Sequence, residues 1–251
     1  MVSIQELTRY LDSVLQTERF KDYCPNGLQV EGRDRVEHIV TGVTASQALL
    51  KAAHARNADA VLVHHGYFWK NEDPRITGIK RARLAMLLQN DINLLAYHLP
   101  LDAHPDFGNN AQLGRLLGIQ VDGTLQAGEQ VACVSYGHLE ATSPAAFKER
   151  IDSALQRDCI HVDAGPDKIT TVGWCTGAGQ GFIEQAVDAN LDAYISGEIS
   201  EPTAHIAREA KIHYFAAGHH ATERYGVQAL ARHLEQKFDI GHEFVDIDNP
   251  A

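Results

Sequence analysis

The stretch "AAGHHATERYG", residues 216–226, sets two adjacent histidines ahead of a glutamate. On a helix, His219 and Glu223 would stand one turn apart on one face, where both could reach a single metal ion. A lone His-x-x-x-Glu is common by chance, so metal chemistry needs ligands from elsewhere in the chain. Two other stretches offer them. "AVLVHHG" ends in His64 and His65, and "INLLAYHLPLDAHPDFGNN" carries His98, Asp102, His104 and Asp106. A four-coordinate ion takes three or four protein ligands. The larger donor set here suits two divalent ions roughly 3.5–4 Å apart, held by imidazoles and a carboxylate able to bridge. Without thiolate, such a site favours Zn, Fe, Mn or Ni over Ca or Mg.

The elements that must position these donors read as α/β. Strand-like apolar runs alternate with helix-like stretches, the pattern of βαβ units and mainly parallel sheets. In such sheets chemistry gathers at the carboxyl ends of strands, where all three donor stretches fall. Alternation would send His64 and His65 to opposite faces, but a bend at Gly66 could turn both toward one cleft. "EHIVTGVTASQALLKAAHARNADAVLVHHG" and "ITTVGWCTGAGQGFIEQAVDANLDAYISGE" read as the same strand, turn, helix and strand, with Gly42 set against Gly173 and "NADAVLVHHG" against "NLDAYISGE". The expectation is two related three-layer α/β halves from a diverged internal duplication, residues 1–126 and 127–251. The first half carries an insertion, "YFWKNEDPRITGIK". Ser3 with Glu6 forms a capping box for an amphipathic helix bearing Ile4, Leu7 and Leu11. Ser143 and Pro144 open another helix.

Bulk properties narrow the function classes. The 251 residues are 44% hydrophobic and 22% charged, and no apolar run approaches the length of a bilayer span. A cytoplasmic protein is expected. The net charge of −11 disfavours nucleic acid as a partner. The four cysteines, Cys24, Cys133, Cys159 and Cys175, form no C-x-x-C pair, against both a disulfide framework and a cysteine zinc site. Fourteen histidines is an unusual number, and many follow apolar runs. Gly177, Gly179 and Gly181 precede a helix and could hold an anion, although a tight strand-to-helix turn explains them as well.

"CPNGLQVEG", "DAVLVHHG", "HLPLDAHPDFGNN" and "GHHATERYG" occur here in the order found in the GTP cyclohydrolase 1 type 2 homologues, and over nearly the whole chain the sequence resembles a bacterial member of that family. The resemblance implies two related α/β halves, a dinuclear divalent-metal site, and a ring-shaped homohexamer built as a trimer of dimers. It implies metal ligands at His64, His65, Asp102, His219 and Glu223, with Glu223 bridging both ions. His98 and His220 match less closely and are expected to contact substrate or the ligands.

Two metals would lower the pKa of a bound water and leave hydroxide available to attack carbon or phosphorus. For cyclohydrolase chemistry the carbon is C8 of guanine, the leaving product is formate, and GTP or a related, perhaps damaged, nucleotide is the substrate. His98 or His220 would serve as proton shuttle, and Lys70, Arg75 and Lys80, on or beside the insertion, as cations for the triphosphate. No G-x-S-x-G elbow is present, nor the motifs of metal-dependent amidohydrolases or calcineurin-like phosphoesterases. The rival expectation is a non-catalytic metal-binding ring that regulates or traffics metal. An open coordination position would distinguish the enzyme from it.

Overall fold

The structure is a computed structural model, and residues 1–125 and 134–251 are described. The expected boundary between residues 126 and 127 lies outside the described residues, as does Cys133. Two compact units emerge, and neither is a continuous half. Residues 1–101 with 226–248 form one, and residues 102–225 with 249–251 form the other.

In chain order the elements begin with β1 (Val2–Ser3), α1 (Ile4–Leu15), β2 (Gly27–Val30), β3 (Arg35–Val36), β4 (His38–Thr44), α2 (Gln47–Ala55), β5 (Ala60–His65), α3 (Gly78–Gln89), β6 (Asn93–Ala96) and α4 (Leu99–Ala103). They continue with α5 (Asn109–Leu116), β7 (Gln120–Leu125), β8 (Val134–Thr142), α6 (Pro144–Leu155), β9 (Ile160–Val162), β10 (Ile169–Cys175), α7 (Ile183–Asp188), β11 (Ala193–Ser196), α8 (Glu201–Ala210), β12 (His213–Ala216), α9 (His219–Thr222), α10 (Arg224–Phe238) and β13 (Gly241–Phe244). The chain leaves the first unit within α4 and returns within α10.

The first unit holds a five-stranded sheet in the order β13-β4-β5-β6-β2. Its three pairings from β13 to β6 are parallel, and β2 closes the edge antiparallel. The second unit holds a six-stranded sheet, β7-β8-β10-β11-β12-β9. Here β10, β11 and β12 are parallel, β9 closes one edge antiparallel, and the antiparallel strands β7 and β8 extend the other. The middle of the chain therefore contributes two strands ahead of the helix that Ser143 and Pro144 open.

The two sheets share one topological core. Three parallel strands (β6-β5-β4, β12-β11-β10) are flanked by an antiparallel edge strand that precedes them in sequence (β2, β9). Ahead of that core each unit places a helix, and the two helices are capped alike. The Ser3 and Ser143 hydroxyls accept the N–H of Glu6 and Ala146, and Gln16 and Gln156 end the helices in the left-handed conformation. Each unit also clamps its first parallel strand with an aspartate. Asp59 Oδ2 accepts the N–H groups of Glu37 and His38, and Asp192 Oδ2 accepts those of Thr170 and Thr171 together with the Thr170 hydroxyl.

Matching the aspartates fixes the register, and it removes one expected parallel. Gly173 lies opposite Tyr194, whereas Gly42 lies opposite Val63, two steps further along its strand relative to the aspartate. The two glycines are not counterparts. Each answers to its own packing, since an added Cβ would meet Leu49 at Gly42 but Leu191 at Gly173.

In the second unit alternate strand residues feed two buried layers. Ala193, Ile195 and Phe215 pack with Phe147, Ile151 and Leu155 of α6, while Tyr194 and Tyr214 pack with Ile183 of α7 and Ala207 of α8. This is the three-layer arrangement that period-two alternation dictates when both faces of a sheet are covered. In the first unit Val61 and Val63 pack with Leu49, Leu50 and Ala53 of α2 and Leu84 and Leu87 of α3. Among the described residues no helix is long and apolar enough to cross a membrane.

Candidate metal centre

In the first unit the carboxyl end of β5 delivers the histidine pair. Strict alternation would part them, yet the rings of His64 and His65 lie 4.5 Å apart between centroids while the ladder to β4 stays in register through His65. The backbone beyond is pressed close, for a Cβ at Gly66 would fall 2.2 Å from Gln29 Oε1. His98, just past β6, completes a trio with ring centroids 5.1 Å from His64 and 5.7 Å from His65. One nitrogen of each of these histidines lies within 4.8 Å of the others. His98 is thus closer to the donor pair than the sequence implied.

Hydrogen bonds decide which nitrogen faces outward. His64 Nδ1 is 2.9 Å from the carbonyl oxygen of Tyr97. A carbonyl only accepts, so Nδ1 carries the proton and Nε2 of the neutral ring carries the lone pair. His98 Nδ1 donates in the same way to Asp22 Oδ1 at 2.7 Å. Asp22 also accepts the N–H groups of Tyr23 and Leu99, and the Asn26 amide. Burial pushes the Asp22 carboxyl up, but the bond and charge of His98, with the Asn26 and Tyr23 donors, hold it below the ordinary carboxylate value. Cys24 stands near Asp22 and His98. Burial and the Asp22 charge push its thiol up to about 12, so it offers no thiolate.

In the second unit β12 ends at Ala216, and Gly218 turns the chain into α9. The helix imagined for "GHHATER" is a single turn. It ends at Glu223 (φ −107°, ψ 4°), and α10 starts anew at Arg224. The expected contact survives, with His219 Nε2 3.2 Å from Glu223 Oε2. His219 Nδ1 is 2.7 Å from Glu198 Oε1. Burial alone would keep the imidazole neutral, but Glu223 and Glu198 together lift its pKa to about 9. His220 is buried beside it and bonds through its backbone N–H to the carbonyl of Ala251.

Asp102 belongs to this second group. Its Oδ1 accepts from Asn109 Nδ2 at 2.9 Å and from the Thr176 hydroxyl at 3.2 Å. A carboxylate oxygen of Asp102 and one of Glu223 lie within 4.8 Å of each other. Gly177, beside Thr176, has φ +64°, and a Cβ there would fall 2.1 Å from Glu223 Oε1 and 3.1 Å from His219 Nε2. This cradle has no room for a side chain. In the same loop the first glycine's amide is already taken. Gly177 N–H bonds to Thr222 Oγ1, the Gly177 carbonyl accepts from Ser196, and Gly179 O accepts from Tyr194.

Other residues from the sequence reading fall elsewhere. His104 Nδ1 accepts the N–H groups of Asp106 and Phe107 in its own turn. Arg75 is held bidentate by Asp73, and half-buried Lys80 faces Glu72 at 3.4 Å. Lys70 is exposed, and its backbone N–H bonds to Tyr23 O.

Two partners had escaped sequence reading. Glu198 was legible in principle, because with Asp59 set on Asp192 the second-repeat counterpart of His65 is Glu198. Asp22 carries no such signal, since it sits in a loop ahead of β2 rather than at a strand end.

The donors fit divalent metal. Each imidazole has one nitrogen anchored by a carbonyl or carboxylate, a divalent ion would take the place of the Nε2 proton that His219 shares with Glu223, and Asp102 is oriented by hydroxyl and amide donors, as around metal sites.

The family profile of Duf34/NIF3 (NGG1p interacting factor 3) matches residues 2–250. The chain is 56% identical to a "GTP cyclohydrolase 1 type 2 homolog" of Pseudomonas aeruginosa, over 99% of this chain and 97% of the relative. It is 51% identical to the protein so named in Escherichia coli, over 98% of each. A solved structure named "protein ybgI, unknown function" is 50% identical and superposes with a TM-score of 0.96 over 100% of both chains. A protein of Thermus thermophilus is 33% identical, with a TM-score of 0.91 over the same full coverage. A match along the entire length, in sequence and in fold, makes this chain a member of the Duf34/NIF3 family.

Proposed function

We propose that the protein is a dinuclear metal-dependent, hydrolase-like protein in which His64, His65, Asp102, His219 and Glu223 hold two divalent cations of the Zn, Fe, Mn or Ni class, with Glu223 bridging. The observation that supports this reading is the ring orientation within each unit. His64 and His219 both commit Nδ1 to an acceptor, which turns Nε2 toward the place an ion would occupy. When bound, such a pair of ions makes water acidic enough to act as a nucleophile near neutral pH and stabilises developing negative charge. His98, aligned by Asp22, would hold or return a proton at Nε2, with His220 the second candidate. Lys70, Arg75 and Lys80 are the cations for a triphosphate, Arg75 and Lys80 by exchanging their carboxylate partners. GTP or a related nucleotide is the substrate class, in line with the name carried by the relatives.

Elemental analysis of the wild type, His64→Ala and Glu223→Ala tests the ligand set. About two ions per chain in the wild type and a loss in both variants is the expected outcome, and undiminished metal would overturn it. The metal-loaded protein is then assayed on a nucleotide panel for formate and phosphate. The competing reading, a non-catalytic metal-binding regulator or trafficking ring, draws on the three imidazoles His64, His65 and His98, which could gather on one ion and need one further protein ligand to close it. No turnover on the panel would favour it. The ring itself, a homohexamer working in the cytoplasm, is proposed on family resemblance and is tested by light scattering and cell fractionation.

A further inference from the structure

A second cluster of metal-type donors lies at the β9 edge of the six-stranded sheet. His161 is on β9, Asp163 is in the loop that follows, and His213 opens β12. Their ligating atoms all lie within 4.8 Å of one another. His213 is 1% exposed, and its Nε2 donates to the carbonyl of Pro166 at 2.8 Å. That bond leaves the lone pair of the neutral ring on Nδ1. The other two donors converge on the same atom, with His161 Nε2 at 3.2 Å and Asp163 Oδ1 at 3.3 Å.

These separations are those of a hydrogen-bonded cluster, and they are equally those of ligands around one ion. With metal–ligand bonds of about 2.0–2.1 Å, two ligands of a tetrahedral ion stand roughly 3.3–3.4 Å apart. Both separations from His213 Nδ1 match that edge without movement. The rings are also fixed before any ion arrives. His161 stacks on Phe215 at 4.3 Å with 6° between planes, and the loop lies so close over His213 that a Cβ at Gly165 would be 2.5 Å from its ring. The Gly165 N–H approaches Nδ1 at 3.4 Å, a long contact that a metal would replace.

We propose that His161, Asp163 and His213 form a metal site separate from the Asp102–Glu223 group, binding one divalent ion of the zinc, cobalt or nickel class and clipping β9 and its loop to β12. Two imidazoles and one carboxylate leave a fourth position for water. An ion there would raise stability through its preference for the folded chain.

The test uses the full chain, stripped by chelator and reloaded with zinc, comparing wild type with Asp163→Ala and with His161→Phe. Asp163 is 75% exposed and the phenylalanine preserves the stack on Phe215, so both variants keep the fold. Equilibrium dialysis of zinc-saturated wild type should find one ion per chain beyond the two proposed for the site of His64 and Glu223; that additional ion should be missing from His161→Phe and bound at least about tenfold more weakly by Asp163→Ala. The zinc-induced rise in Tm should shrink in both, while the ions held through His64 and Glu223 stay. Equal stoichiometry, affinity and Tm response in all three proteins would overturn the proposal.

Discussion

Gly177→Ala separates two effects that most substitutions mix. Gly177 sits at φ +64°, so any side chain there incurs left-handed backbone strain of about 1–2 kcal/mol. Gly118 has nearly the same φ, +68°, but a Cβ there meets nothing within 4 Å. Gly118→Ala therefore incurs the strain alone. Gly177→Ala adds a collision, since its Cβ would lie 2.1 Å from Glu223 Oε1, and normal contact requires the carboxylate to retreat by about 1 Å. Glu223 is 3% exposed and lies 3.2 Å from His219 Nε2, so retreat loosens a buried charged hydrogen bond worth about 1.5–3 kcal/mol. Urea denaturation of the two stripped variants should differ by about that amount. Zinc titration should find Gly118→Ala unchanged and Gly177→Ala weakened by more than about tenfold, because a displaced ligand no longer meets the ion. Equal destabilisation with equal zinc affinity would refute the claim that this glycine exists to seat Glu223.

Glu198→Gln keeps the size of the side chain but weakens its hold on His219 Nδ1, and chelator competition should find metal affinity about 10- to 100-fold lower, with the fold retained. Asp192 supplies the pH prediction. Burial raises its pKa, but the N–H and O–H donors of Thr170 and Thr171 bring it below the ordinary 3.8. A depressed folded-state value means its contribution is complete above the unfolded pKa and is lost as pH falls through the folded one. The stability gap between wild type and Asp192→Asn should therefore narrow from about pH 7 to about pH 3, and a constant gap would contradict the assigned role of the Thr170–Thr171 clamp.

Much of the fold could be read from local chemistry. Ser3 with Glu6, and Ser143 before Pro144, placed two helix starts because capping depends on residues three apart. The strand-end histidines were legible because a parallel strand is a continuous apolar run, and a pair of imidazoles after "AVLV" breaks it abruptly. Long-range pairing was not legible. "GHEF" at Gly241–Phe244 has no strong alternation, yet β13 joins β4 from the far end of the chain, which makes the first unit discontinuous. Likewise nothing near Asp22 announces its bond to His98, since that partnership depends on a loop brought close only by folding. Strand ends reveal donors, and the groups that orient those donors are set by tertiary structure.

That division of labour bears on how metal and folding are coupled. In small zinc modules the ligands are organised only when the ion binds, and stripping the metal unfolds the chain. Here histidines of the proposed site are tied within their own units by bonds that need no ion: the proposed ligands His64 to a backbone carbonyl and His219 to Glu198, and the proposed proton carrier His98 to Asp22. The elements bearing them are anchored by fully buried side chains such as Val63, Leu95 and Phe215. The energy of metal binding is then not required for folding. The far-UV circular dichroism of stripped protein should overlay that of reloaded protein, with metal raising Tm by mass action alone. If chelation instead collapsed the spectrum, the donors would owe their order to the ion, and the ring-orientation argument for the ligand set would lose its physical basis.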